Sequence, residues 1–281
     1  MQIAPACYYV QNPHINPLLM CLILIAHRVH PRLPLVVAAN RDEFHARPSA
    51  SSHFWQEPVG MLAGRDLQAG GTWLGVNRSG CFAAITNVSE IHAEGHWLSR
   101  GDLVRQFLDS ATPATVFADT IAPQHYRGFN LLMWDGHALT YSSNRSLAET
   151  LRPGIYGLAN AGLNESRFKV WRGSRAMQAA LSGAQKKNGN LVDSLFSLLS
   201  DPTPSTTPEP RRIPGMSDAT QRALSACFIT GDEYGTRASS VVLLGPDECL
   251  FSERVYAPRG MLLGQSQHTL ALSTASANPQ C

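Results

Sequence analysis

Cys21 heads an apolar run, Leu22-Ile23-Leu24-Ile25-Ala26, and a second apolar run, Leu35-Val36-Val37-Ala38-Ala39, ends in Asn40-Arg41-Asp42-Glu43. A thiol, a guanidinium and a carboxylate are the ingredients of an activated nucleophile, because a nearby cation favours thiolate over thiol. They must first be brought together. His27 to Pro34 carries Pro31 and Pro34 and reads as a turn. The flanking runs are too short for helices and rich in strand formers. A hairpin folded there returns the end of the second strand to the start of the first, so Arg41 and Asp42 are expected beside Cys21. The simpler reading makes Cys21 a small buried hydrophobe at a strand start.

Three later segments place polar residues at the ends of apolar strands. Gly70-Gly71-Thr72-Trp73-Leu74-Gly75-Val76 and Cys81 to Thr86 read as a hairpin about Asn77-Arg78-Ser79-Gly80, and the return strand runs into Asn87. Neither GxGxxG nor GxxxxGK[ST] occurs, so the glycines are not a phosphate loop. Gly154 to Asn160 is a further strand ending in Asn. Gly235-Thr236-Arg237 precedes another strand. Two have a plainer reading: Asn87 caps a turn, and Arg237 pairs with a surface carboxylate.

The Met20-Cys21 pair, the hydrophobic strand and Asn40-Arg41-Asp42-Glu43 together resemble the Asn-Arg-Asp-Glu family, also called the transport and Golgi organisation protein 2 family. Gly-Gly-Thr-Trp-x-Gly, the Thr-Asn ending, Gly-x-x-Gly-Leu-Ala-Asn and Gly-Thr-Arg are similar to that family too. The likeness extends to N-terminal-nucleophile hydrolases of the penicillin V acylase and bile salt hydrolase type. The resemblance implies an α+β fold, a four-layer αββα sandwich of two antiparallel sheets, over roughly residues 21–264. It implies removal of the initiator Met, so that Cys21 becomes the first residue. Its thiol would then attack an amide with its own α-amine as base. That amine has an ordinary pKa of roughly 8 and is basic near neutrality.

On the same likeness Asp42 holds the amine and Asn87 helps form the oxyanion hole. Asn160 holds substrate or orients the nucleophile, and Arg237 orients the thiol or an anionic substrate group. Arg41 and Trp73 are expected to line the substrate's place. One departure stands: Arg41 abuts Asp42, and neighbouring residues on a strand face opposite ways, so both enter the site only if the chain bends. The expected reaction is hydrolysis of a small non-peptide C–N amide bond. The alternative is a non-catalytic carrier of haem or of a lipid or acyl-CoA ligand. No haem-attachment CxxCH occurs, and no cofactor is expected beyond haem as a ligand under that alternative.

The elements that position these residues alternate hairpins with a helix pair, without a βαβα rhythm, which argues α+β. Helices are expected at Leu103 to Ser110, Pro113 to Ile121 with Thr112 as cap, Arg167 to Ser182 and Leu191 to Leu199. In the third, Lys169, Arg172 and Arg175 read as a solvated basic face. His45 to Gly60 reads as a polar loop, either at the mouth of a site or a surface excursion. Asp201 to Pro214, with five prolines, reads as a linker or lid. Residues 1–20 are an N-terminal extension or pro-segment, with translation expected to start at Met20, and residues 265–281 a frayed tail.

Of 281 residues, 44% are hydrophobic and 16% charged, enough for a sizeable core. A formal charge of +2 gives no bulk attraction to nucleic acid. No apolar run approaches the ~20 residues that span a bilayer. The cysteines at 7, 21, 81, 227, 249 and 281 form no CxxC pair, which suits reduced thiols in a cytoplasmic setting. The histidines form no HExxH, so no structural metal is expected. Oligomeric state is not written in these patterns.

Overall fold

The computed structural model describes residues 21–88, 95–186, 190–209 and 216–273. The expected hairpin forms: β1 (Leu22–His27) pairs antiparallel with β2 (Leu35–Phe44), with Leu22 opposite Asn40. In both strands the side chains alternate between two cores. Leu22, Leu24, Ala26, Val36 and Ala38 join one cluster, and Ile23, Ile25, Leu35, Val37 and Ala39 another. A strand buried on both faces reads as a continuous apolar run, as these two do.

A six-stranded sheet runs β10-β1-β2-β11-β12-β13, with β10 Gly154–Leu158, β11 Tyr234–Leu244, β12 Glu248–Tyr256 and β13 Leu262–Ala271. A seven-stranded sheet runs β3 to β9 in chain order. Its strands are Ser49–Phe54, Met61–Asp66, Leu74–Asn77, Phe82–Asn87, Phe129–Trp134, Leu139–Ser143 and Ser146–Leu151. The sheets pack face to face through Ile25, Val37, Phe82, Trp134 and Phe251. Helices α1 (Arg100–Asp109) and α2 (Ala114–Thr120) cover the second sheet through Phe107, Phe117 and Ala83. Helices α3 (Phe168–Lys186) and α4 (Leu191–Leu199) cover the first through Val170, Met177 and Phe196. The result is an αββα sandwich, the expected α+β class. A short helix, α5 (Asp218–Ala223), precedes β11 and had no signal in the sequence reading.

Several expectations are corrected. Asn40 to Glu43 lies inside β2, not after it, because β11 pairs along the whole stretch from Leu35 to Phe44. The polar segment after it is not all loop: β3 pairs with β4 despite its serines. Residues 265–271 are not a tail but the rest of β13, held against β12. Pro113 is the N-cap of α2 with no side-chain cap bond, so Thr112 does not cap it. The extension at 1–20, the end of the linker at 210–214 and the tail from 274 lie outside the described residues. No helix among the described residues is long and apolar enough to cross a membrane.

Candidate functional site

Cys21 immediately precedes β1, next to the Leu22–Asn40 pair that ends the hairpin ladder. It keeps partial exposure, and its Sγ lies 3.9 Å from the Asp42 carbonyl oxygen. The two form part of the wall of a cavity of about 590 Å³. Strand β2 contributes Arg41, Asp42 and Glu43 to it. The second sheet contributes Trp73, Ile85 and Asn87, and the start of α1 contributes Ser99, Arg100 and Gly101. Trp97 and His96 complete one side. Thr72 N donates to the Gly101 carbonyl at 3.2 Å, which pins the rim loop to α1.

The pleat divides Asn40 to Glu43 between two layers. Asn40 turns to the helices: its Nδ2 donates to the Leu199 and Cys227 carbonyls at 2.8 and 2.7 Å, and its Oδ1 accepts from Ser239 Oγ at 2.6 Å. Arg41 turns the other way. Its guanidinium stacks on the Trp73 ring at 4.4 Å and approaches Glu43 and Asp66 at 3.6 and 3.4 Å. Arg47 closes a ring of charges with Glu43 at 3.6 Å and Asp66 at 2.6 Å. Asp42 returns to the helix side. Thr236 Oγ1 donates to its Oδ1 at 2.7 Å, and Lys169 Nζ lies 3.3 Å from its Oδ2. Arg41 and Asp42 therefore both flank Cys21 without a bend, on opposite faces of one strand.

The charges around Cys21 do not make a resting thiolate. Burial pushes its thiol up to about 12, and the Asp42 carboxylate pushes the same way, against the weaker pull of Arg41. The guanidinium does favour the thiolate, as expected, but burial and the Asp42 charge outweigh it. Burial also pushes Asp42 up, to about 6, against the opposing charge of Lys169 and the Thr236 hydrogen bond.

Asn87 ends β6 opposite Phe129. Val88 N donates to the Gly128 carbonyl and Phe129 N to Asn144 Oδ1, so the pair exchanges no backbone bonds with itself. Asn87 thus turns its N–H and C=O away from β7, to the edge where β5 has ended. Asn160, fully buried, donates Nδ2 to that carbonyl at 2.7 Å. Asn160 is not part of the cavity wall; it stands behind Asn87. Arg237, like Asn160, lies outside the cavity wall, and it turns away from Asn87 as well. A bulge between Thr236 and Ala238 takes it out of the ladder, and its Nη1 donates to the carbonyls of Phe44, His45 and Arg47 at 2.8, 3.1 and 3.1 Å. It braces the segment that follows Asn40 to Glu43 and is not among the residues lining the cavity.

The sequence reading missed Asp66, Arg47 and Lys169. Lys169 belongs to no solvated face: its side chain is fully buried. A lysine in the first turn of a helix opposes the helix dipole, and that oddity was the available signal. Among the described residues no cluster of three or more His, Cys, Asp or Glu side chains is fit for a metal.

Comparison with known proteins gives a match to the family described as transport and Golgi organisation 2, over residues 20–258. The chain is similar to a transport and Golgi organization protein 2 homolog of Bos taurus, 32% identical over 84% of this chain and 92% of the relative. The Homo sapiens homolog is 31% identical over the same shares. Among solved structures, a mutant conjugated bile acid hydrolase from Clostridium perfringens overlaps 92% of this chain and all of its own (100%), with 9% identity and a TM-score of 0.47.

Proposed function

The chain belongs to the transport and Golgi organisation 2 family, and from that premise we propose a cysteine hydrolase that cleaves a small non-peptide amide, with Cys21 as nucleophile. The observation that carries the proposal is the meeting of Cys21 and Asn87, from different sheets, on one cavity wall. The reading requires Cys21 to be the first residue of the mature chain. Its α-amine is then the base that a protonated thiol lacks.

The chemistry balances as follows. The amine takes the thiol proton as Sγ bonds to the amide carbon, and the C=O pair moves onto oxygen. The Asn87 N–H donates to that oxyanion, an interaction worth ~3–4 kcal/mol in a well-built site. The C–N bond breaks as the ammonium protonates the leaving nitrogen, which departs as an amine and leaves a thioester. Water, deprotonated by the α-amine, attacks the thioester. The carboxylic acid leaves and the proton returns to sulfur. Asp42 holds the ammonium between these steps, and Trp73 with Arg41 forms the floor on which substrate lies.

Mass spectrometry of the mature N-terminus is the first test, since a residue retained ahead of Cys21 removes the base. Cys21→Ala should then abolish amide turnover. A second reading, a non-catalytic carrier of haem or an acyl ligand, draws on the apolar part of the same wall: Phe44, Trp73, Ile85, Trp97 and Leu98. Under it, Cys21→Ala leaves ligand binding intact and no turnover is seen in either protein.

A further inference from the structure

We propose that Lys169 is a positioning residue, whose buried ammonium fixes the charge state and direction of the Asp42 carboxylate beside Cys21. The catalytic meaning of that role rests on the hydrolase reading above; the pairing itself does not.

Neither side chain of the pair has any exposed surface. Each carboxylate oxygen has its own partner, Thr236 Oγ1 on Oδ1 and Lys169 Nζ on Oδ2, so the group cannot rotate without losing one. Lys169 is placed at a double disadvantage. It occupies the second position of α3, where the helix dipole opposes a cation, and it is removed from water, which costs several kcal/mol for an unpaired ion. The fold nevertheless seats it there. Helix α3 lies tight on β10 at Gly157, where a Cβ would come 2.7 Å from Val170 Cγ1, the residue after Lys169. A cation held so closely against both penalties is explained by what it faces.

The groups around Asp42 come from every packed element. Cys21 neighbours it from just before β1, Thr236 from β11, Lys169 from α3 and Cys227 from the stretch before β11. Arg41 and Glu43 flank it on β2, and Glu209 faces Lys169 from the loop after α4. Lys169 is the strongest influence opposing burial at Asp42. Without it burial is less opposed, and the carboxyl shifts further toward its neutral form. A neutral acid cannot hold the ammonium that Cys21 forms when its amine takes a proton.

The test is a carbon-13 NMR titration of aspartate carboxyls in the full chain, with Asp42 assigned by its loss in Asp42→Asn. The expected midpoint is near pH 6 in the parent protein. In Lys169→Met it should rise by at least a unit, a tenfold change in the protonated-to-ionised ratio, and Lys169→Arg should bring it back. An unchanged or lowered midpoint in Lys169→Met overturns the proposal. If Lys169→Met does not fold, the double variant with Asp42→Asn should regain the fold, because the unpaired charge is gone. A double variant that stays unfolded assigns Lys169 to packing and overturns the proposal as well.

The hydrolase reading is separated by adding a short-chain acyl amide of 7-amino-4-methylcoumarin as probe, with the protein beginning at Cys21. If the midpoint shifts while the parent protein shows no turnover, the pairing stands and the hydrolase reading on this probe fails. If turnover occurs but its acid limb does not move with the Asp42 midpoint in Lys169→Met, the positioning role is overturned.

Discussion

Asn160, two residues past the end of β10, donates its side-chain N–H to the backbone carbonyl of Asn87, the last residue of β6, at 2.7 Å. The bond spans the gap at the end of the sandwich and sets the plane of the peptide beside Asn87. If the Asn87 N–H receives the oxyanion, Asn160 acts on the reaction without touching substrate. Asn160→Ala should lower kcat about ten- to a hundred-fold with a smaller change in KM, since a misdirected donor matters most when charge develops. Circular dichroism should match the parent protein. A kcat within twofold of the parent would remove Asn160 from the mechanism.

The Cys21 thiol, pushed up to about 12, is protonated at neutral pH while an amide occupies its nitrogen. The thiolate fraction rises with pH up to that value. A form retaining residues ahead of Cys21 should therefore be alkylated by iodoacetamide more slowly at pH 8 than free cysteine, with a rate still climbing at pH 10. Peptide mapping distinguishes Cys21 from Cys227 and Cys249, which are also raised but fully enclosed. Fast labelling at pH 7 in that form would contradict the electrostatics described here.

Trp73 packs over Gly64, where a Cβ would come 2.4 Å from Trp73 Cη2 and 2.5 Å from Cζ2. Gly64→Ala must push the indole aside, and with it the surface on which Arg41 stacks. Overpacking of this kind costs ~1–3 kcal/mol. A lower Tm is expected, together with weaker binding of any ligand that lies on Trp73. An unchanged Tm would mean that the ring has room to move.

Burial pushes the Asp66 carboxyl up, but the Arg47 hydrogen bond, the Ala69 N–H and the charges of Arg47 and Arg41 together outweigh it, and the group ends below the usual aspartate range. The sign follows directly. A carboxyl depressed in the folded state stabilises above its unfolded pKa of roughly 3.9, and that contribution is lost as pH falls through the folded value. Asp66→Asn should therefore be less stable than the parent protein at pH 7. The gap should narrow steadily below about pH 4. Urea melts across that range measure it; a gap that widens on acidification would show that Asp66 is not held by Arg47.

The hairpin of β1 and β2 was legible because both strands are apolar throughout and the turn between them carries prolines. The meeting of Cys21 with Arg41 followed from that alone. The continuation of β2 through Asn40 to Glu43 was not legible. Four polar residues carry little strand signal of their own, and pairing with Ser239, Ala238, Thr236 and Gly235, far along the chain, holds them extended. Strand β3 was hidden for the same reason: Ser49 to Ser52 has little strand character, and its partner β4 supplies the order. Lys169 was misread because helical spacing says which face is apolar, not whether a cation on the other face meets a buried carboxylate. Arg237 was misplaced because a bulge has no local signal in its sequence.

The alternation of Asn40, Arg41, Asp42 and Glu43 between the helix layer and the cavity makes this stretch indivisible. A slip of β2 by one position would send every odd residue where an even one belongs. The guanidinium would land against the ammonium of Lys169, and the Asp42 carboxylate would open onto Trp73. Four strongly polar side chains thus act as the lock that forbids neighbouring registers to an otherwise interchangeable aliphatic strand.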